Sequence, residues 1–255
     1  MAVLDFNIMA SAQMGDEVLD RLNNIREQDP VFWSEQSQCW FITRHADVMA
    51  AFRGDYPLSA DRLRLFSFSS IPEDEQQTRI PNLLKYASQI SVNLDPPAHT
   101  RIRKLLVRAF SRKVVEGTRP FVQSRVASLM ETIDASGGEV EFNEVIARQL
   151  PATVMLKLLG LPQENLAHMR FWATAFVGAL GSSRPDPAMH DEAERATLQM
   201  KNVVIEELAK RRTNPTPDLL TELVRAKEDN DELSEEELIA AVIDRSAETA
   251  VGRMR

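Results

Sequence analysis

The chain of 255 residues has one cysteine, Cys39, so it cannot close an internal disulfide. Its histidines, His45, His99, His168 and His190, are widely separated, and with one cysteine they show no zinc-ligand spacing. Glycine and tyrosine are scarce, at nine and two residues. That scarcity, with abundant Leu, Ala, Glu and Arg, predicts a mainly helical fold. There is no cationic excess: 30 basic against 38 acidic residues give a net charge of −8, which argues against a nucleic-acid binder. No apolar run reaches membrane-spanning length, and no basic-then-apolar signal pattern opens the chain. The expectation is a soluble, cytoplasmic protein without a membrane partner. Repeats and low-complexity tracts are absent, and the length suits one large domain or two small ones.

What is present concentrates between Leu94 and Phe110, which reads LDPPAHTRIRKLLVRAF. Two prolines end an extended segment and open a helix, because proline fits the first helical turn and disfavours helix before itself. Ile102, Leu105, Leu106 and Ala109 then fall on one apolar face. His99 and Arg103 are four apart and project from one side, where paired donors near a helix start can hold an anion. On charge alone, the same run is a solvated basic face.

Before that run, residues 15–28 read as a helix with Val18, Leu19, Leu22 and Ile25 on its apolar face. Residues 31–33 and 39–43 read as a hairpin, and 44–53 as a short helix ended by Gly54. Residues 63–89 form a long mixed segment broken by Pro72 and Pro81. Its apolar members Leu65, Phe66, Phe68, Ile71, Leu83 and Leu84, with Ile90, either line a pocket or pack as an irregular lid. Helices are predicted over 115–136, 144–159 (capped by Asn143 and kinked at Pro151), 163–180, 187–212 and 218–226, with a short strand over 139–142. The 181–187 loop, rich in breakers, is expected to be mobile. A capping box, Ser234 with Glu237, opens the last helix.

The 94–110 run resembles the C-helix signature of bacterial cytochromes P450, in which the matching His and Arg hold a haem propionate. WFITRHADV (residues 40–48) resembles the strand leading into the family's B helix, LSADR (58–62) the segment after it, and LGLP (159–162) the turn closing its E helix. The resemblance runs from Phe32 to Ile243, about the front half of the family's length. It implies a mainly α, P450-like fold (A to I helices with a small N-terminal hairpin) as a single partial domain over 1–255, with the C-terminal half missing. It implies a haem-thiolate monooxygenase that inserts oxygen into a small apolar organic substrate, fed by a ferredoxin or flavoprotein. His99 and Arg103 are then the cofactor-binding pair, and the substrate sits between residues 63–90 and the 163–212 helix pair. Glu248 and Thr249 match the acid–Thr pair of the family's I helix, although Ser246 replaces its glycine and Asp244 and Arg245 replace apolar residues. A plain solvated helix end is the alternative there.

The family's iron-ligating cysteine loop is not found, and Cys39 lies in the hairpin, so the chain is expected to be inactive alone. The alternatives are a non-catalytic relic of the family and a helical protein whose basic 101–113 segment docks an acidic partner. A lone front half is further expected to be under-packed, with Leu238, Ile239, Val242 and Ile243 exposed and the tail after Asp244 frayed.

Overall fold

In a computed structural model, the described residues are 15, 17–63, 67–137, 139–181, 186–230 and 233–251; the side chains of 226–230 and 247–251 fall outside that description. The chain divides into two compact units, up to Ser59 and from Ala60 onward.

In the first unit, α1 (Glu17–Gln28) precedes an antiparallel hairpin of β1 (Val31–Ser34) and β2 (Cys39–Ile42), with Phe32 opposite Phe41 and Trp33 opposite Trp40. Aromatic cross-strand pairs fix this register: the phenyl rings stack at 5.1 Å and the indoles meet edge-on at 5.7 Å. Ile25 and Phe32 are buried, with Val18, Leu22 and Phe41 packed on them. Leu19, placed by periodicity on the same face, is 65% exposed. The helix α2 (His45–Arg53) ends at Gly54, whose φ of +82° is the left-handed cap that only glycine adopts without strain.

The second unit is helical among its described residues. The segment read as one long loop contains α3 (Glu73–Arg79) and α4 (Pro81–Ala87). Phe68, Ile71, Leu83 and Ile90 are core residues, which fits a packed lid rather than a lined pocket; Leu65 and Phe66 lie outside the described residues. Next come α5 (Ala98–Ala109), α6 (Arg112–Gly117) and α7 (Arg119–Ala135). The predicted 115–136 helix is thus split at Thr118, because Pro120 restarts it in a new first turn. No strand forms at 139–142, where no neighbouring strand offers a ladder among the described residues.

A π-helical turn (Asn143–Ala147) precedes α8 (Gln149–Leu159), so Asn143 caps nothing and Pro151 sits harmlessly in the first turn instead of kinking a longer helix. The chain continues through α9 (Leu166–Gly181), α10 (Pro187–Thr213), α11 (Leu219–Asn230) and α12 (Glu235–Val251). The centre of the 181–187 loop, residues 182–185, lies outside the described residues.

The under-packing expectation fails. Leu238, Val242 and Ile243 have no exposed surface and Ile239 is 2% exposed. The helix remains regular past Asp244. The reason is local: α12 packs against α4, α8, α9 and α10, and α9 offers buried Met169, Trp172 and Phe176. Elements within this half of the family fold suffice to enclose the helix.

Candidate cofactor-binding site

The site is built on the start of α5. Asn93 is buried and donates to the Ala87 carbonyl at 2.9 Å, fixing the approach. Asp95 accepts the Ala60 amide at 2.8 Å through its side chain and the His99 amide at 3.0 Å through its carbonyl. The peptide between Pro96 and Pro97 is cis. The helix then buries Ile102, Leu105, Leu106 and Ala109, the four positions that periodicity selects.

That burial sets the direction of the polar side chains. Arg101 lies on one flank and grips the Glu237 carboxylate with both guanidinium nitrogens. Glu237 also accepts the Ser234 amide at 2.9 Å, while Ser234 Oγ accepts the Glu237 amide at 3.0 Å, completing the capping box. The Arg101 guanidinium holds the Glu237 carboxyl below the usual carboxylate range. On the opposite flank, roughly 160–200° around the helix, are His99 and Arg103. His99 is half-buried and Arg103 exposed, and neither side chain makes a hydrogen bond or ion pair among the described residues. The motif's polar side chains are therefore divided: Arg101 secures α12, while the half-buried His99 imidazole and the exposed Arg103 guanidinium, one turn apart, are left without a partner among the described residues. An open groove lined by Pro96, Pro97, Thr100, Arg101 and Lys104 includes neither of them.

No family model matches the chain. It is 31% identical over 226 residues to a mycinamicin IV hydroxylase/epoxidase of Micromonospora griseorubida, covering 88% of this chain and 52% of that protein. It is 32% identical over 233 residues to cytochrome P450 107B1 of Saccharopolyspora erythraea, covering 91% and 52%. Among solved structures, epothilone B-bound cytochrome P450epoK superimposes with a TM-score of 0.77 at 26% identity, over 97% of this chain and 60% of that one. The chain is a homologue of the bacterial cytochromes P450. CalO2 shares the fold, with a TM-score of 0.80 at 21% identity over 97% of this chain and 59% of its own. The chain spans about half the length of the curated relatives it matches.

The other P450 positions are less fully placed. Glu248 and Thr249 belong to the last turns of α12, and their side chains lie outside the described residues. Cys39 is in β2 of the first unit, half-buried, and burial pushes its thiol up, which disfavours the thiolate. Asp244, a departure from the P450 pattern, is 7% exposed and accepts from Ser91 Oγ and from the Arg245 guanidinium, each at 3.0 Å. Sequence reading recognised Glu237 only as a cap; its bond to Arg101 spans 136 residues and left no local signal. It also missed the cluster of Arg211, Glu207 and Asp218, whose side chains are 13%, 6% and 9% exposed.

Proposed function

We propose that this chain is the propionate-holding half of a haem-thiolate monooxygenase, with residues 1–255 forming one partial domain of the P450 fold. The observation that carries this reading is the pair His99 and Arg103, one helical turn apart and without partners among the described residues. A haem propionate is a carboxylate, and this donor set suits one. The Arg103 guanidinium offers a planar fork that matches a carboxylate; the His99 imidazole adds a second donor. Bound haem supplies the iron at which oxygen is activated for insertion into a small apolar organic substrate.

Within this assignment, residues 63–90 and the α9–α10 pair border the substrate, and Glu248 with Thr249 hold and pass a proton at the Thr249 hydroxyl. Reducing equivalents come from a ferredoxin or flavoprotein, and the protein works in the cytoplasm; among the described residues no helix is long and apolar enough to cross a membrane. The chain's sole cysteine, Cys39, lies in the β1–β2 hairpin of the first unit, away from α5 in sequence; on this reading it is not the iron ligand, and the chain alone does not work as a monooxygenase. The names of the homologous hydroxylase/epoxidase and of P450 107B1 support the reaction class.

Haem titration of the purified chain tests the reading, followed by reduction and exposure to CO. Saturable haem binding without a thiolate-type Soret band is expected. A thiolate-type spectrum that disappears in Cys39→Ala would overturn the assignment.

A further inference from the structure

We propose that the second unit carries a binding site for an organic phosphate monoester, in the cleft between α6, the end of α8 and α11. The cleft has a volume of about 610 Å³, and its described lining residues all belong to that unit. That is the size of a small-molecule pocket and far more than a bare ion needs. Three basic side chains line it: Lys113 of α6, Lys157 from the last turn of α8 and Arg225 of α11. Among the described residues they face one carboxylate, that of Glu222. The whole chain carries 38 acidic and 30 basic residues, so this local excess runs against its overall balance.

The neighbouring carboxylates are already taken. Glu116 meets Arg112, next to Lys113, at 2.8 Å. Lys210 and Arg211 hold Glu207, and Arg211 also holds Asp218. Glu222 itself pairs with Arg225 at 2.9 Å. Lys113 and Lys157 make no hydrogen bond or ion pair among the described residues, and Lys157 Nζ lies 5.9 Å from the centre of the Phe121 ring. Ser111 adds a donor: its Oγ accepts the Val114 amide at 3.4 Å, which leaves the hydroxyl proton for a ligand. The wall made by residues 215–217 is set in advance, because Thr216 donates to Asp218 Oδ2 at 2.5 Å and, through its amide, to Thr221 Oγ1 at 3.1 Å. A phosphate monoester suits this lining. Its head offers three terminal oxygens to donors arriving from α6, α8 and α11, where a carboxylate offers two. Its organic part meets the apolar wall of Val114, Leu158 and the two prolines. The site needs no haem and stands apart from the haem reading.

Phenyl phosphate titrated into the whole chain at low salt tests the site, followed by calorimetry and by amide chemical shifts. Saturable one-site binding is expected, with shifts concentrated at residues 111–118, 157–158 and 215–225. Inorganic phosphate should bind more weakly and phenol not at all. Lys113→Met and Lys157→Met should each weaken binding about tenfold, the scale of a hydrogen bond to a charged group, and Lys157→Arg should retain it. Glu222→Gln removes the facing carboxylate and should tighten binding about threefold, a gain that a folding defect cannot imitate. The proposal is overturned if phenyl phosphate does not saturate, if the shifts centre elsewhere, or if inorganic phosphate binds as tightly. It is equally overturned if the double variant Lys113→Met with Lys157→Met binds like the wild type, or if Glu222→Gln weakens binding.

Discussion

Replacing Gly160 by alanine should damage this protein far more than a turn substitution ordinarily does. Gly160 ends α8 with φ of +85° and returns its amide to the carbonyls of Leu156 and Lys157. A Cβ at Gly160 would lie 2.3 Å from Asp218 Oδ2 and 2.4 Å from its Cγ. Asp218 cannot step aside cheaply. It accepts from Arg211 Nε at 2.7 Å, from Thr216 Oγ1 at 2.5 Å and from the Thr221 amide at 2.9 Å, and Arg211 also donates to the Gly160 carbonyl at 2.5 Å. The left-handed conformation costs an alanine about 1–2 kcal/mol, and breaking a buried ion pair costs about 3–5 kcal/mol. The expected loss is therefore about 4–7 kcal/mol, a large share of a domain's stability. Gly137 is the matched control: its φ is also +85°, nothing lies within 4 Å of the added Cβ, and it belongs to the same unit. Gly137→Ala should lose only the conformational part. Urea unfolding of both variants, read as midpoint at constant slope, gives the difference. Equal losses in the two would refute the argument that Asp218 is held rigidly against the turn.

The sequence carried the elements whose causes are local. The α5 face, the Gly54 and Gly160 caps and the Ser234–Glu237 box follow from spacing and turn chemistry within a few residues, and each is observed as read. Failures occurred where a distant partner decides. The 139–142 run has strand-forming residues but no ladder among the described residues. The helix α3 carries no apolar periodicity, since the residues flanking it, Ile71 and Ile80, are buried instead of its own face. The exposure predicted for α12 came from reasoning about the whole family fold, whereas α9, whose apolar residues run around most of its circumference, already covers that helix. The candidate site shows the same division. His99 and Arg103 share a flank because of their spacing, but that they lack partners among the described residues, while Arg101 on the other flank takes Glu237, is a fact that only tertiary structure contains.

Further expectations concern the cofactor pair, the cap and acid stability. Arg103→Ala should weaken haem binding by about 1.5–3 kcal/mol, the worth of a hydrogen bond to a charged group, and His99→Ala should cost less; unchanged affinity in the double variant by absorbance titration would reduce the pair to a solvated surface. Ser234→Ala should lower stability by about 1 kcal/mol through the orphaned Glu237 amide, checked by the thermal midpoint. The acid limb follows from Arg101 and Glu237. The guanidinium hydrogen bond depresses the folded carboxyl below its unfolded value, so this stabilisation is complete above the ordinary glutamate range and is lost as pH falls through the folded value. Stability should thus be insensitive to this pair from neutrality to about pH 5 and decline below about pH 4.5. Arg101→Met removes the depression and should flatten that decline while lowering the plateau. A variant whose acid limb runs parallel to the wild type would show that Glu237 does not couple α5 to α12 through its charge.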